Sequence, residues 1–86
     1  MRYAARRDVN EPELVALFKA QGCKVQRLSQ TGVPDLLIEW NGRFALVETK
    51  SPKGTLTAAQ RCFSMPFWIV RDELDAARIV RWLKTL

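Results

Sequence analysis

Gly32 to Lys50 reads GVPDLLIEWNGRFALVETK. Two runs of apolar and β-branched residues flank Asn41-Gly42, the strongest short-range signal for a two-residue type I′ hairpin turn. With that pair as the loop, Trp40 faces Arg43, and antiparallel partners carry numbers that sum to 83. Asp35 then lies directly across from Glu48 on one face of the sheet, with Cβ atoms about 4.5–5.5 Å apart, where like charges destabilise a hairpin. Lys50, two positions on, points to the same face roughly 6–7 Å further along. Two opposed carboxylates beside an ammonium form either a cross-strand ion-pair cluster or a cation site. Oxygen ligands from two strands suit Mg²⁺ or Mn²⁺.

Leu36, Ile38, Ala45 and Val47 line the face opposite the acids, while Leu37, Phe44 and Leu46 make the acidic face apolar too. Such a strand is expected to be central, with helices above and below. Unpaired anions in those surroundings are poorly solvated, which again favours a bound cation.

Working outward, Asn10–Gln21 reads as a helix. Asn10 is its expected cap, Glu11 opens it, Pro12 is tolerated in the first turn and Gly22 ends it. Leu14, Leu17 and Phe18 form its apolar stripe. Before it, residues 1–8 (MRYAARRD) read as a flexible basic arm, either solvated or touching phosphates. Cys23–Leu28 alternates as a half-buried strand. After the hairpin, Ser51-Pro52-Lys53-Gly54 breaks the chain, and Thr55 or Thr57 caps a short helix bearing Gln60, Arg61 and Phe63. Pro66–Val70 reads as a buried strand. Asp72 caps a final helix to about Lys84, with Leu74, Ala77, Ile79, Val80 and Leu83 as its apolar content. The order α-β-β-β-α-β-α describes an α/β fold, a central mixed β-sheet flanked by helices, in one domain spanning 1–86.

Pro34-Asp35 followed by Glu48-Thr49-Lys50 resembles the Pro-Asp…(Asp/Glu)-x-Lys signature of the restriction-endonuclease-like nuclease superfamily. Glu11 eleven residues before Gly22, Ser51-Pro52-Lys53-Gly54 and Thr57-x-x-Gln60 narrow the likeness. Over about Glu11 to Val70, the chain resembles the small stand-alone members of the VRR-NUC family, best known from phages and bacteria. The resemblance implies a restriction-endonuclease-like core and a metal-dependent DNA endonuclease, structure-selective rather than sequence-specific, which nicks DNA or cuts junction or branched DNA. It implies Mg²⁺ or Mn²⁺ on Asp35, Glu48 and the Thr49 backbone carbonyl, with Glu11 joining directly or through water. Lys50 would orient or help deprotonate a water, and Gln60 would hold Lys50 or that water. A DNA-structure-binding module with the same fold and no cutting is the alternative. The family's helix after the Gln is longer than the two turns available between Thr57 and Ser64. That shortening could leave an apolar edge for another subunit, so a homo-oligomer, a dimer or larger, is expected.

For the remaining charges both a solvated and a functional reading stand. Glu11 suits a positive helix end as well as a metal site, with Glu13 as its fallback. Lys53, Arg27, Lys24 and Arg61 are the candidate DNA contacts and would equally serve as surface charge. Trp82 is expected either in the core or on a self-association surface.

Composition bounds these readings. The 86 residues carry 14 basic and 9 acidic side chains, a net charge of +5, which fits a polyanion such as DNA. The absence of histidine excludes His-based triads and His metal sites, leaving carboxylates, Lys and metal for any hydrolysis. Cys23 and Cys62 are expected to be two buried, reduced thiols. No apolar run approaches the roughly 20 residues of a membrane span. The expectations are no membrane, no organic cofactor and a cytoplasmic location in a bacterial host cell, whether phage-encoded or not.

Overall fold

The computed structural model describes residues 3–86, with side chains from Asn10 onward. Its elements are α1 (Tyr3–Ala20), β1 (Lys24–Arg27), β2 (Leu36–Trp40), β3 (Arg43–Thr49), α2 (Ala58–Arg61), β4 (Trp68–Val70) and α3 (Glu73–Thr85). This is the expected order. The strands lie in the sequence β1-β2-β3-β4, with the first two pairings antiparallel and the last parallel, so the sheet is mixed.

The hairpin register is the one the turn dictates. Asn41 (φ 53°) and Gly42 (φ 81°) both take positive φ, as a type I′ turn requires, and Trp40 pairs with Arg43 and Leu36 with Val47. Glu39 accepts a 2.6 Å bond from the Gly42 N–H and closes the loop. Leu36, Ile38, Ala45 and Val47 are buried on one face. Leu14, Val15 and Phe18 of α1 and Ala76, Ile79, Val80 and Leu83 of α3 pack there too.

Four expectations are corrected. First, α1 and α3 share that one face, so the sheet is not sandwiched by long helices. Among the described residues the other face carries no helix but the single-turn α2, and Leu37 and Leu46 remain half-buried and Phe44 exposed. Second, α1 begins by Tyr3 rather than at Asn10. Pro12 removes one N–H but its fixed φ is helical, and Ala4, Ala5, Arg6 and Arg7 are good helix formers. The expected arm is therefore helical backbone from Tyr3; Met1, Arg2 and the arm's side chains lie outside the described residues. Asn10, now inside the helix, caps nothing. Third, Cys62 is exposed while Cys23 is buried. Fourth, Ala76 takes the buried position on α3, and Leu74 and Ala77 face outward.

Thr57 caps α2, and Asp72 caps α3 by accepting the Asp75 N–H. Among the described residues no helix is long and apolar enough to cross a membrane.

Phe18 is fully buried at the meeting of α1 with the sheet. Truncating such a ring costs about 3–5 kcal/mol, a large part of the stability of a domain this small. Phe18→Ala is expected to lower the unfolding free energy from urea denaturation by that amount or to leave the chain unfolded. A change below 1 kcal/mol would contradict the packing described.

Candidate functional site

The site forms where β2 stops and β3 continues. The last rung of the β2–β3 ladder is Leu36–Val47, which leaves Asp35 one residue before β2 and opposite Glu48 by the same register. Asp35 Oδ2 then takes over the role of a ladder acceptor. It receives the Thr49 N–H at 2.9 Å and the Thr49 hydroxyl at 2.8 Å. Its carbonyl accepts the Leu28 N–H at 2.7 Å, tying the approach to β2 to the end of β1. In extended backbone the N–H and C=O of one residue point the same way. The Thr49 carbonyl therefore faces the Asp35 side, beyond the end of β2.

Glu48 is 1% exposed and Lys50 5%. Glu48 Oε2 accepts a 2.8 Å bond from Gln60 Nε2 and lies 3.7 Å from Lys50 Nζ. Its other oxygen, Oε1, is buried and has no hydrogen-bond partner among the described residues. A buried acceptor left so costs about 1–3 kcal/mol, and more when charged. The Glu48 carboxyl is accordingly pushed up from 4.5 to about 7. Burial is the largest cause, followed by the charge of Asp35 and a hydrogen bond with it, while Lys50 pulls in the opposite direction. Asp35 and Glu48 thus approach closely enough to compete for one proton.

Gln60 reaches Glu48 because of how α2 starts. The Thr57 hydroxyl accepts the Gln60 N–H at 3.2 Å, and Gln60 Oε1 accepts the Thr57 N–H at 2.8 Å, a complete capping box. With its oxygen fixed on the cap, the amide nitrogen is aimed at Glu48. Gly32 (φ 81°) helps to seat this turn. A Cβ there would stand 3.4 Å from the Ala59 Cβ, in a backbone conformation that side chains avoid.

Glu11 arrives from α1 at the rim. Oε1 lies 3.4 Å from the Thr49 hydroxyl and Oε2 3.5 Å from Arg27 Nε. The single hydroxyl proton goes preferentially to Asp35, the nearer acceptor. Glu13, the fallback, is exposed and lines a separate hollow with Pro52 and Glu73. Lys53 and Arg61 are exposed three residues beyond Lys50 and one beyond Gln60. Arg27 sits at the site end of β1, opposite Leu36, but Lys24 pairs with Glu39 at the other end. Three residues of strand put Lys24 about 10 Å from Arg27, so the structure does not bring it to the site. Sequence reasoning missed the Thr49 hydroxyl, counting only its carbonyl. It also missed Asn10, whose amide donates to the Lys50 carbonyl at 3.0 Å.

Among the described residues no three Asp, Glu, Cys or His side chains converge into a metal cage. The donors that could hold a hard cation are Asp35, Glu48 and the Thr49 carbonyl. Mg²⁺ is commonly bound by one or two carboxylates with the remaining positions left to water and substrate phosphate. The bare Glu48 Oε1 fits that donor set, since a cation there would satisfy the buried oxygen.

The raised carboxyl also makes stability depend on pH. Its folded-state value lies above the unfolded one, so the proton favours the folded chain. That contribution is whole below the ordinary value of 4.5 and lost as pH rises to about 7. In EDTA, Glu48→Gln is expected to stabilise the protein relative to wild type by about 3 kcal/mol more at pH 8 than at pH 4. Urea denaturation across that range measures it, and a pH-independent difference would contradict the geometry. No family model, curated protein or solved structure matches this chain, so a functional reading stands on these residues alone.

Proposed function

We propose that the protein is a Mg²⁺- or Mn²⁺-dependent endonuclease hydrolysing DNA phosphodiester bonds, built on a restriction-endonuclease-like core of the small VRR-NUC type. The observation that carries this reading is the orphaned Glu48 Oε1, buried opposite Asp35 with the Lys50 ammonium beside it. A structural ion pair would place both oxygens of its acid on donors. Here Gln60 and Lys50 both engage Oε2, which leaves Oε1 to a proton or to a bound cation.

When bound, the cation supplies activation of a water and neutralisation of phosphate charge. The chain's own groups do the rest. Asp35, fixed by two bonds from Thr49, and Glu48, fixed by Gln60, hold their donor oxygens without further reorganisation. Lys50 Nζ, 3.7 Å from Glu48 Oε2, would orient the attacking water and stabilise the negative charge that builds on the phosphorane. Glu11 reaches the same cleft through the Thr49 hydroxyl, which suits a water-mediated role. Lys53, Arg61 and Arg27 line the approach as phosphate contacts, and none of these groups reads base edges. Sequence specificity is therefore not expected from these groups, and the selectivity proposed is for DNA shape.

Homo-oligomer formation belongs to the same proposal. A groove of about 640 Å³ is lined by Phe44, Leu46, Met65, Phe67, Trp68 and Trp82. Beside it, β4 pairs only with Val47–Thr49, so the edge of β3 before Val47 has no strand on that side among the described residues. An apolar hollow with a bare strand edge suits association.

The test is a cleavage panel of supercoiled plasmid, hairpins and four-way junctions in Mn²⁺ and Mg²⁺. EDTA is expected to abolish cutting, Asp35→Asn and Glu48→Gln to remove it, and Lys50→Ala to slow it about 10²–10⁴-fold. Tight binding of branched DNA with no cutting by the folded wild type would favour the binding-module reading instead.

A further inference from the structure

Two side chains outside the proposed chemistry hold the segment that leaves β3. Asn10 Nδ2 donates to the Lys50 carbonyl at 3.0 Å and to the Arg71 carbonyl at 3.4 Å. Arg71 Nη1 donates to the Ser51 carbonyl at 3.0 Å and to the Gly54 carbonyl at 2.5 Å. The Lys50 N–H goes to the Val70 carbonyl at 3.0 Å, and the Gly54 N–H closes the turn on Ser51 at 3.0 Å. Arg71 is itself fixed, because its backbone N–H donates to Asp75 Oδ2 at 3.0 Å. From Lys50 to Gly54 the backbone is therefore stitched to α1, to the end of β4 and to the start of α3. The turn is also tight: a Cβ on Gly54 would meet Ser51 Oγ at 3.1 Å.

Both side chains occupy places that local structure does not explain. Asparagine is a poor residue inside a helix, yet Asn10 sits mid-helix and directs its amide across to another segment. The Arg71 side chain gathers two neutral carbonyls on one nitrogen, so its charge remains beside the segment that bears Lys50 and Lys53.

We propose that Asn10 and Arg71 are positioning residues for the Lys50–Gly54 segment. They fix the backbone from which Lys50 reaches Glu48 and from which Lys53 projects toward a substrate phosphate. This rests on the nuclease reading above and adds to it the residues that aim its two lysines.

The experiment uses the full chain with Asn10→Ala, Arg71→Ala and Arg71→Lys. Three readouts are taken: kcat and KM on branched DNA in Mn²⁺, Mn²⁺ affinity by calorimetry, and hydrogen exchange of the amides in 50–54. Folded Asn10→Ala is expected to lose about ten- to a hundredfold in kcat, the scale of a small misplacement of reacting groups. Its Mn²⁺ affinity is expected to stay near that of wild type, because Asp35 and Glu48 are untouched, and exchange in 50–54 to quicken. Arg71→Lys, which keeps the charge and one donor nitrogen on a shorter-reaching side chain, is expected to lose less than Arg71→Ala. Should Arg71→Ala unfold, Asn10→Ala decides the matter, since it removes one amide from a half-buried position.

An unchanged kcat, unchanged exchange, or a kcat loss matched by an equal loss of Mn²⁺ affinity would each overturn the proposal. Wild-type protein that binds Mn²⁺ and DNA but cuts nothing would overturn the nuclease reading and the catalytic part of this one together. Exchange in Asn10→Ala would still show separately whether the clamp exists.

Discussion

Burying a carboxylate opposite a second carboxylate is the constraint around which this chain is arranged. Glu48 lies in the middle strand of a small sheet, almost fully excluded from water, with Asp35 at the adjoining strand end. Moving a charge into such surroundings is costly, and a like charge nearby adds to the cost. The surrounding structure offsets only part of it. Gln60 satisfies one oxygen of Glu48, Lys50 lends a positive charge at 3.7 Å, and Thr49 holds Asp35 by two bonds. The other oxygen has no donor among the described residues. Strained polar arrangements of this kind cluster at functional sites.

The cost is carried by the opposite face of the sheet. There α1 and α3 meet Leu36, Ile38, Ala45 and Val47 in one continuous apolar cluster that leaves almost no side chain exposed. Every strand alternates between that cluster and the side of the site. The register that buries Leu36 against Val47 is the same register that brings Asp35 to Glu48, because a slip of one residue would turn both sets over. The Asn41-Gly42 turn sets that register and so fixes core and site together. The other side is lightly covered, with the one-turn α2 near it and Phe44 exposed.

What could be read from the sequence was whatever a local rule decides. The two-residue loop gave the hairpin register, and Thr57 and Asp72 gave the starts of α2 and α3 through their side-chain bonds to nearby N–H groups. The element order and the sharing of one face by Asp35, Glu48 and Lys50 followed from those, whereas Gln60, expected on Lys50 or a water, bonds Glu48 instead. What could not be read depends on tertiary choice. Both long helices take the same face of the sheet, although Leu37 and Leu46 made the second face look equally apolar. Pro12 looked like a first-turn residue, yet the helix runs on before it and moves Asn10 from a cap to a cross-link. The Thr49 hydroxyl and Arg71 are ordinary residues in ordinary patterns. Their roles come from contacts with residues 14 and 20 positions away in the chain, which no spacing rule reports.

The central claim is that the vacant side of Glu48 is a cation site shared with Asp35. Its most direct measurement is a calorimetric titration of the metal-free protein with Mn²⁺ near pH 6.5, repeated in two buffers of different ionisation enthalpy. The account predicts saturable binding accompanied by proton release, as the metal displaces the proton from the protonated fraction of Glu48 into the buffer, with both signals lost in Glu48→Gln. Binding of equal strength in Glu48→Gln, or no binding to a folded wild-type chain, would contradict it.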